Sequence, residues 1–458
     1  MAKKIVIIGG GDAGTYVLES FLRKRVNVGK DVTITLLKRE KIGAFSICGL
    51  PYALQNMFSI DSLEIAGSKF FTDKGIDYRM ETEVTDINLE DSSVNVSTGE
   101  PIKYDQLVIG TGRKAFIPNM EEAALKEVYT INDEEDGRKI DAAMRNPETK
   151  NALVIGGGSI GLQTAVAFSK KGLKTTVVHS RRRAETLPSL IPSMLDEDMA
   201  SIVQKRLEEE GITFVLGKPV ISMKGNQDGR VTAVVVEGEE IPADLVVISA
   251  GMRPNVDLAK KANIDVGTSG GIVTDPSMHV KKSGRYLNNV YALGDCVEVI
   301  DAITHRPRLS QLASTALAQA KVVVDNILDI HSQFDPCLSP TITNISGLQV
   351  GSVGITSEIA RKYGIKLLSG KKEKPTKPRY YPERKSMTVK LLFNAHSEKL
   401  IGAQIISEEN VADRIDGLSL AIKSGITIKD LHIMEKSFDP TVSLHRDVMV
   451  DAAENATE

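Results

Sequence analysis

The sequence predicts an α/β protein in which one strand, glycine-loop, helix unit is used twice, and three observations predict it. A β-branched apolar run, Lys4 to Gly11, enters Gly9-x-Gly11-x-x-Gly14, and a second, Asn151 to Gly158, enters Gly156-x-Gly158-x-x-Gly161, 147 residues later. Each motif opens a stretch with helical apolar spacing, carried in the first copy by Tyr16, Val17, Leu18, Phe21 and Leu22. Each copy then passes through a turn-punctuated, strand-rich segment (77–103 and 212–241) to an aspartate and a hydrophobic strand closing on glycine, YDQLVIGTG and ADLVVISAG.

The glycines carry the chemistry of such a unit. The first permits the tight turn, the second lets backbone approach a pyrophosphate, and the third lets the helix pack on the strand. One motif alone is weak evidence. Two, each in strand–turn–helix context, indicate two Rossmann-like dinucleotide-binding domains.

At 458 residues the chain exceeds a single core, and about 150 residues per domain gives two or three. With 41% hydrophobic and 26% charged residues and a net charge of −3, neither disorder nor a nucleic-acid footprint is indicated. The opening run MAKKIVIIGGG is too short for a signal h-region or a membrane span. Three scattered cysteines, Cys48, Cys296 and Cys337, make no disulfide framework and fit a reducing, cytoplasmic compartment. None of the seven histidines has HExxH-type spacing, so no metal is expected.

VYALGDC (290–296) places Asp295 at a strand end, where a carboxylate can bond a polyol hydroxyl. Here the chain resembles the pyridine nucleotide-disulfide oxidoreductase family. The resemblance runs through the first glycine motif, Thr111-Gly112, the second glycine motif, Gly251 to Asn255 (GMRPN) and Gly294-Asp295-Cys296. It implies FAD on the first unit, NAD(P)H on the second, and Asp295 on the ribityl chain. The helix of RLSQLASTALAQAK would turn its first amides, around Gln311, Leu312 and Ala313, toward the flavin ring. The implied architecture is an FAD domain (1–118 with 250–330), an NAD(P)H domain (119–249) and an α+β C-terminal dimerisation domain (331–458), hence a homodimer.

Three positions depart from the family. Lys38 stands where the FAD unit carries the ribose-binding Glu, and Glu40 is the nearby substitute. Gln163 replaces a Glu near the nicotinamide. In the second unit His179, followed by Arg181, Arg182 and Arg183, occupies the place of a ribose carboxylate, which favours NADPH, with NADH the alternative.

Cys48 lies in AFSICGLPYAL, just before a helix whose first turn suits Pro51, and a depressed thiol pKa is expected there. With no second cysteine four or five residues away, the paired centre of glutathione-type reductases is absent. CGLPY, and RYYPE at 379–383, resemble coenzyme A-disulfide, persulfide and polysulfide reductases. The resemblance gives Tyr380 or Tyr381 a role near the partner subunit's site and coenzyme A a place as ligand. Against tight coenzyme A binding, Phe21 interrupts the arginine cluster those relatives carry on the first helix, while Arg23, Lys24 and Arg25 remain. SFDPTVSLH puts Asp439 where paired-cysteine reductases have their histidine, and His445 is an alternative acid on a terminal helix. The lysine-rich 371–379 reads as a solvated loop, with attraction of an anionic substrate the other reading. The function expected is thus FAD-dependent reduction of a small sulfur substrate. Its alternatives are an oxidase or peroxidase cycling through Cys sulfenic acid, and an electron-transfer or redox-sensing flavoprotein with a protein partner; neither nucleic acid nor membrane enters.

Overall fold

The structure, a computed structural model, describes residues 2–120, 124–180 and 189–457. By contacts the chain divides into two compact units: Met1–Phe116, Asn132–Glu134 and Met252–Cys337 form the first, and Ile117–Ile131, Glu135–Gly251 and Leu338–Glu458 the second.

The first unit is built on a six-stranded sheet in the order His279–Lys282, Arg285–Ala292, Gln106–Ile109, Lys3–Ile8, Val32–Leu37, Asp77–Arg79. All neighbours pair in parallel except the first two, which are antiparallel. A parallel interior strand is covered on both faces and therefore reads as an unbroken apolar run; Ile5 to Ile8 are all buried accordingly. Helix Asp12–Arg23 follows and packs against helix Ala313–Ile327. Val17, Leu18 and Phe21 are fully buried in it, each contributing about 1.5–3 kcal/mol. Phe21 thus belongs to the core and presents nothing to a phosphate.

The second unit contains a five-stranded parallel sheet, Val128–Thr130, Leu245–Ile248, Asn151–Ile155, Lys174–His179, Thr213–Leu216. It also holds a five-stranded antiparallel sheet, Thr341–Ile345, Leu348–Gly354, Leu400–Ser407, Ser386–Asn394, Leu367–Pro375. Helix Ala412–Lys423 packs on that second sheet, so the C-terminal third is α+β. The lysines of 371–379 are not a free loop: the segment begins inside strand Leu367–Pro375, and Lys371, Lys374 and Lys377 pair with Asp198, Asp451 and Glu409 at 3.1, 2.8 and 3.5 Å. No described helix is long and apolar enough to cross a membrane.

Candidate functional site

The two glycine loops have the same clearances. Gly9 has φ +103, and a Cβ there would lie 2.1 Å from Gly110 O; one at Gly14 would lie 2.0 Å from Gly9 O. In the second unit Gly156 has φ +124 with its Cβ 2.1 Å from Ser249 O, and a Cβ at Gly161 would meet Gly156 O at 2.2 Å. By contrast, a Cβ on Gly11 or Gly158 would meet nothing within 4 Å. The outer glycines are demanded by the fold. The middle ones face open space, where a side chain would only obstruct a ligand.

Around the first loop the other motif residues converge. Thr111 donates its hydroxyl to Asn255 O (2.6 Å), tying the TG turn to the RPN segment. Gly294 (φ +78) brings the GDC turn against the helix, where its Cβ would sit 2.8 Å from that of Ala13, and its N–H donates to Gln319 Oε1 at 2.8 Å. Asp295 accepts from Arg113 Nη1 (2.8 Å), and the two side chains keep only 19% and 16% of their exposure. Burial outweighs that guanidinium and holds the Asp295 carboxyl above its usual range. Leu312 caps helix Ala313–Ile327. Thr15 Oγ1, Arg113 Nε and Gln311 Nε2 are buried with no hydrogen-bond partner among the described residues. Buried polar atoms need partners. An open glycine cradle, a strand-end carboxylate and orphaned polar atoms on the same unit fit an FAD molecule laid along it.

Lys38 turns its ammonium to main-chain carbonyls: it is 5% exposed and donates to Gly43 O (2.6 Å) and Gly10 O (3.2 Å). Burial lowers its pKa, against Glu40, Glu64 and Asp12. Glu40 pairs with Arg39 at 3.3 Å.

Cys48 occupies a short turn, Ile47–Gly49, ahead of helix Leu50–Leu54, and is the one exposed cysteine. The residue keeps exposed surface, yet protein is packed around its thiol. Its thiol pKa is raised, against the expectation of a depressed one. Burial is the first cause; Asp12 and Asp295 also push it up, while Arg113 and a backbone N–H pull it down. Burial and two carboxyl groups brought in from elsewhere in the chain outweigh what little dipole a five-residue helix supplies. Sequence reasoning misses Asp12 and Arg113. Asp12 stands inside the glycine motif and Arg113 directly after Thr111-Gly112, which is the only available signal.

Cys296 is fully buried, with its thiol toward Leu293 O (3.2 Å), and Cys337 is 7% exposed, with its thiol toward Ser310 Oγ (3.5 Å).

In the second unit His179 ends its strand and accepts the Gly157 N–H at Nδ1 (3.2 Å), placing it against the glycine loop. Arg181, Arg182 and Arg183 lie outside the described residues. Gln163 is turned to the antiparallel sheet: its Nε2 donates to Thr343 Oγ1 (2.7 Å) and Asn344 O (3.3 Å). Gly251 (φ +121) follows the strand Leu245–Ile248. Tyr380 is 75% exposed, and Tyr381 lies under Lys377 Nζ, 5.0 Å from its ring centroid. Asp439 accepts from Thr441 N and Oγ1 at 2.8 and 2.5 Å, which holds its carboxyl below the usual range. His445 is not on a helix; it lies in the chain before helix Val448–Glu454, edge-on to Phe438 at 4.3 Å. Among the described residues no His, Cys, Asp or Glu cluster could hold a metal ion.

Known proteins match this arrangement along its length. The profile described as pyridine nucleotide-disulphide oxidoreductase matches residues 3–320, and that family's dimerisation domain matches 340–448. The chain is 35% identical to an NADH oxidase of Methanocaldococcus jannaschii, over 99% of this chain and 98% of that one. It is 28% identical to an NAD(P)H coenzyme A polysulfide/persulfide reductase of Pyrococcus horikoshii, over 96% and 95%. A solved NAD-dependent persulfide reductase from A. fulgidus superposes with a TM-score of 0.91 at 31% identity, covering 98% of this chain and 82% of that one.

Proposed function

The chain belongs to the pyridine nucleotide-disulphide oxidoreductase family, and from that premise we propose that it is an FAD-dependent NAD(P)H oxidoreductase that reduces a disulfide, persulfide or polysulfide through Cys48. The observation that carries this reading is Cys48 itself: an exposed residue whose thiol feels Asp12, Arg113 and Asp295, while Cys296 and Cys337 are buried. A lone accessible sulfur has no intramolecular partner, so the bond it forms is with the substrate's sulfur.

In this reading residues 1–118 and 250–330 hold FAD through Gly9, Gly11, Gly14, Thr111, Gly112, Gly294 and Asp295, with Leu312 and Ala313 at the flavin end. Residues 119–249 hold NADPH through Gly156, Gly158, Gly161 and His179, with Arg181–Arg183 for the 2′-phosphate. Residues 331–458 dimerise the protein in the cytoplasm and supply Tyr380 or Tyr381 to the partner's site. The chemistry supplied by bound FAD is two-electron transfer from reduced nicotinamide to a sulfur–sulfur bond. The chain's own part is to expose Cys48 to substrate, hold Asp295 with Arg113, and set the protonation of the sulfur.

The test is anaerobic oxidation of NADPH and of NADH with coenzyme A disulfide and with polysulfide as acceptors, set beside turnover with oxygen alone. The expected result is acceptor-dependent turnover that Cys48→Ser abolishes. Turnover with oxygen alone, and none with sulfur acceptors, would establish the second reading, an oxidase cycling through Cys48 sulfenic acid, which the M. jannaschii relative favours.

A further inference from the structure

Asp196 occupies the N-cap position of helix Glu197–Glu209, where an aspartate ordinarily accepts the helix's own first amides, yet its side chain makes no such bond. The carboxylate is turned to the C-terminal part of the same unit. Oδ1 accepts Ser357 N (2.9 Å), at the start of helix Ser357–Lys362, and Oδ2 accepts Ser357 Oγ (2.6 Å) and Lys390 Nζ (3.0 Å). The Asp196 N–H donates to Gln404 Oε1 at 2.8 Å, and the residue is 6% exposed. Lys390 and Gln404 are register partners on strands Ser386–Asn394 and Leu400–Ser407, so Asp196 is tied to the antiparallel sheet. The other end of this short stretch grips the second glycine loop. Met194 N and Leu195 N donate to Ile191 O at 2.9 and 3.0 Å, which makes one compact turn of the residues leading to Asp196. Ile191 N donates to Gly157 O (2.8 Å) and Gly157 N donates to His179 Nδ1 (3.2 Å), so both backbone groups of that glycine are held from outside the loop. The packing is close as well: a Cβ on Gly157 would lie 2.9 Å from Leu190 Cδ2 and 3.0 Å from His179 Cγ. Ile191 is fully buried with φ +47. That left-handed conformation is costly for a β-branched residue and persists only where the surroundings impose it.

We propose that Asp196 is a positioning residue for the nicotinamide nucleotide: anchored to the C-terminal sheet, it holds Ile191 in its left-handed conformation and, through Ile191, fixes Gly157 and the loop around it. The inference rests on the reading of the second unit as the NAD(P)H site. Gly157 stands directly before Gly158, the glycine whose side is open to a ligand, so a shift of its carbonyl displaces the backbone that a pyrophosphate would meet. Nucleotide affinity thereby becomes a property of the C-terminal part as well as of the part that carries the glycine motif. Removing the Asp196 carboxylate strands no ammonium, because Lys390 keeps Asp198 at 2.7 Å.

The experiment compares the Asp196→Ala holoenzyme with wild type by calorimetric titration of the oxidised protein with NADP⁺ and NAD⁺, and by anaerobic reduction of the flavin with NADPH. The nucleotide Kd should rise about tenfold, as when the competent loop arrangement becomes a one-in-ten state. The rate of flavin reduction at saturating NADPH should stay as in wild type, because what is lost is binding common to ground and transition states. Amide hydrogen exchange across 189–195 should quicken. Asp196→Asn, which keeps an acceptor for Ser357 N, should recover most of the affinity. Arg206→Met is the control: it breaks a different tie between the same two parts, from Arg206 to Glu408 Oε1 (2.8 Å) and Ser346 O (3.2 Å), and should leave nucleotide affinity unchanged. Where Asp196→Ala does not fold, Ser357→Ala removes a single bond to Asp196 and should show the same shift at smaller size. Wild-type affinity in Asp196→Ala, or an equal loss in Arg206→Met, would overturn the inference. Wild type that binds neither nucleotide would instead sink the reading of the second unit on which it rests.

Discussion

Replacing Gly11 by alanine separates what the first loop does for the fold from what it does for a ligand. Gly11 has φ −78 and ψ −163, which any residue adopts, and a Cβ there meets no atom within 4 Å. Folding should therefore be unharmed or improved by about 0.4–1 kcal/mol, since alanine restricts the unfolded chain. The added methyl occupies the space where the backbone must come up to the pyrophosphate. Losing two charge-assisted backbone hydrogen bonds at about 1.5 kcal/mol each gives about 3 kcal/mol, or roughly 150-fold weaker FAD. Gly9→Ala is the contrasting variant: φ +103 and a Cβ 2.1 Å from Gly110 O should prevent the native turn from forming. Thermal melts of FAD-stripped protein read the first quantity and quenching of flavin fluorescence reads the second. Gly11→Ala that bound FAD as wild type does would refute the assignment of this loop to the cofactor. Gly158→Ala repeats the experiment in the second unit, where NAD(P)H affinity should fall while FAD stays.

Further outcomes are expected elsewhere in the two units. Cys48→Ser should keep flavin reduction by NADPH, read anaerobically by bleaching of the flavin absorbance, and lose sulfur turnover. Arg113→Gln breaks a mostly buried pair and should cost about 2 kcal/mol near neutral pH. Asp295 already has a raised pKa, so the folded state holds its proton more tightly than the unfolded state, and stability falls as pH rises from the ordinary 3.8. Without Arg113 that window widens upward. The deficit should be small near pH 4 and largest at pH 7 in paired melts, with Cys48 alkylation slower at any given pH. His179→Asp should shift preference toward NADH by at least about tenfold in kcat/KM, because a carboxylate bonds a free ribose hydroxyl and repels a 2′-phosphate; no shift would remove this strand end from the nucleotide site.

The paired loops were legible because every requirement of a strand–turn–helix unit sits within about fifteen residues, and the outer glycines are forced by backbone atoms of the same unit. The GDC turn was legible for the same reason. The chemistry of Cys48 was not. Its proton is governed by burial and by residues 12, 113 and 295, which only the fold assembles, and the one local cue, a following helix, is too short to outweigh them. The hydrogen bonds of Gln163 were not legible either, because its partner lies on a strand 180 residues away.

Lys38 has a bearing on how such a sequence can change. Its ammonium is a crosslink between Gly10 in the glycine loop and Gly43 on the way to Cys48. Replacing it by glutamate, the residue the resemblance leads one to expect there, would strand two interior carbonyls, at about 1–3 kcal/mol each, and crowd a new negative charge toward Glu64 and Asp12. The expected residue is thus barred by its surroundings. The lysine is entrenched: exchanging it for glutamate has to pass through a compensating change at a second position.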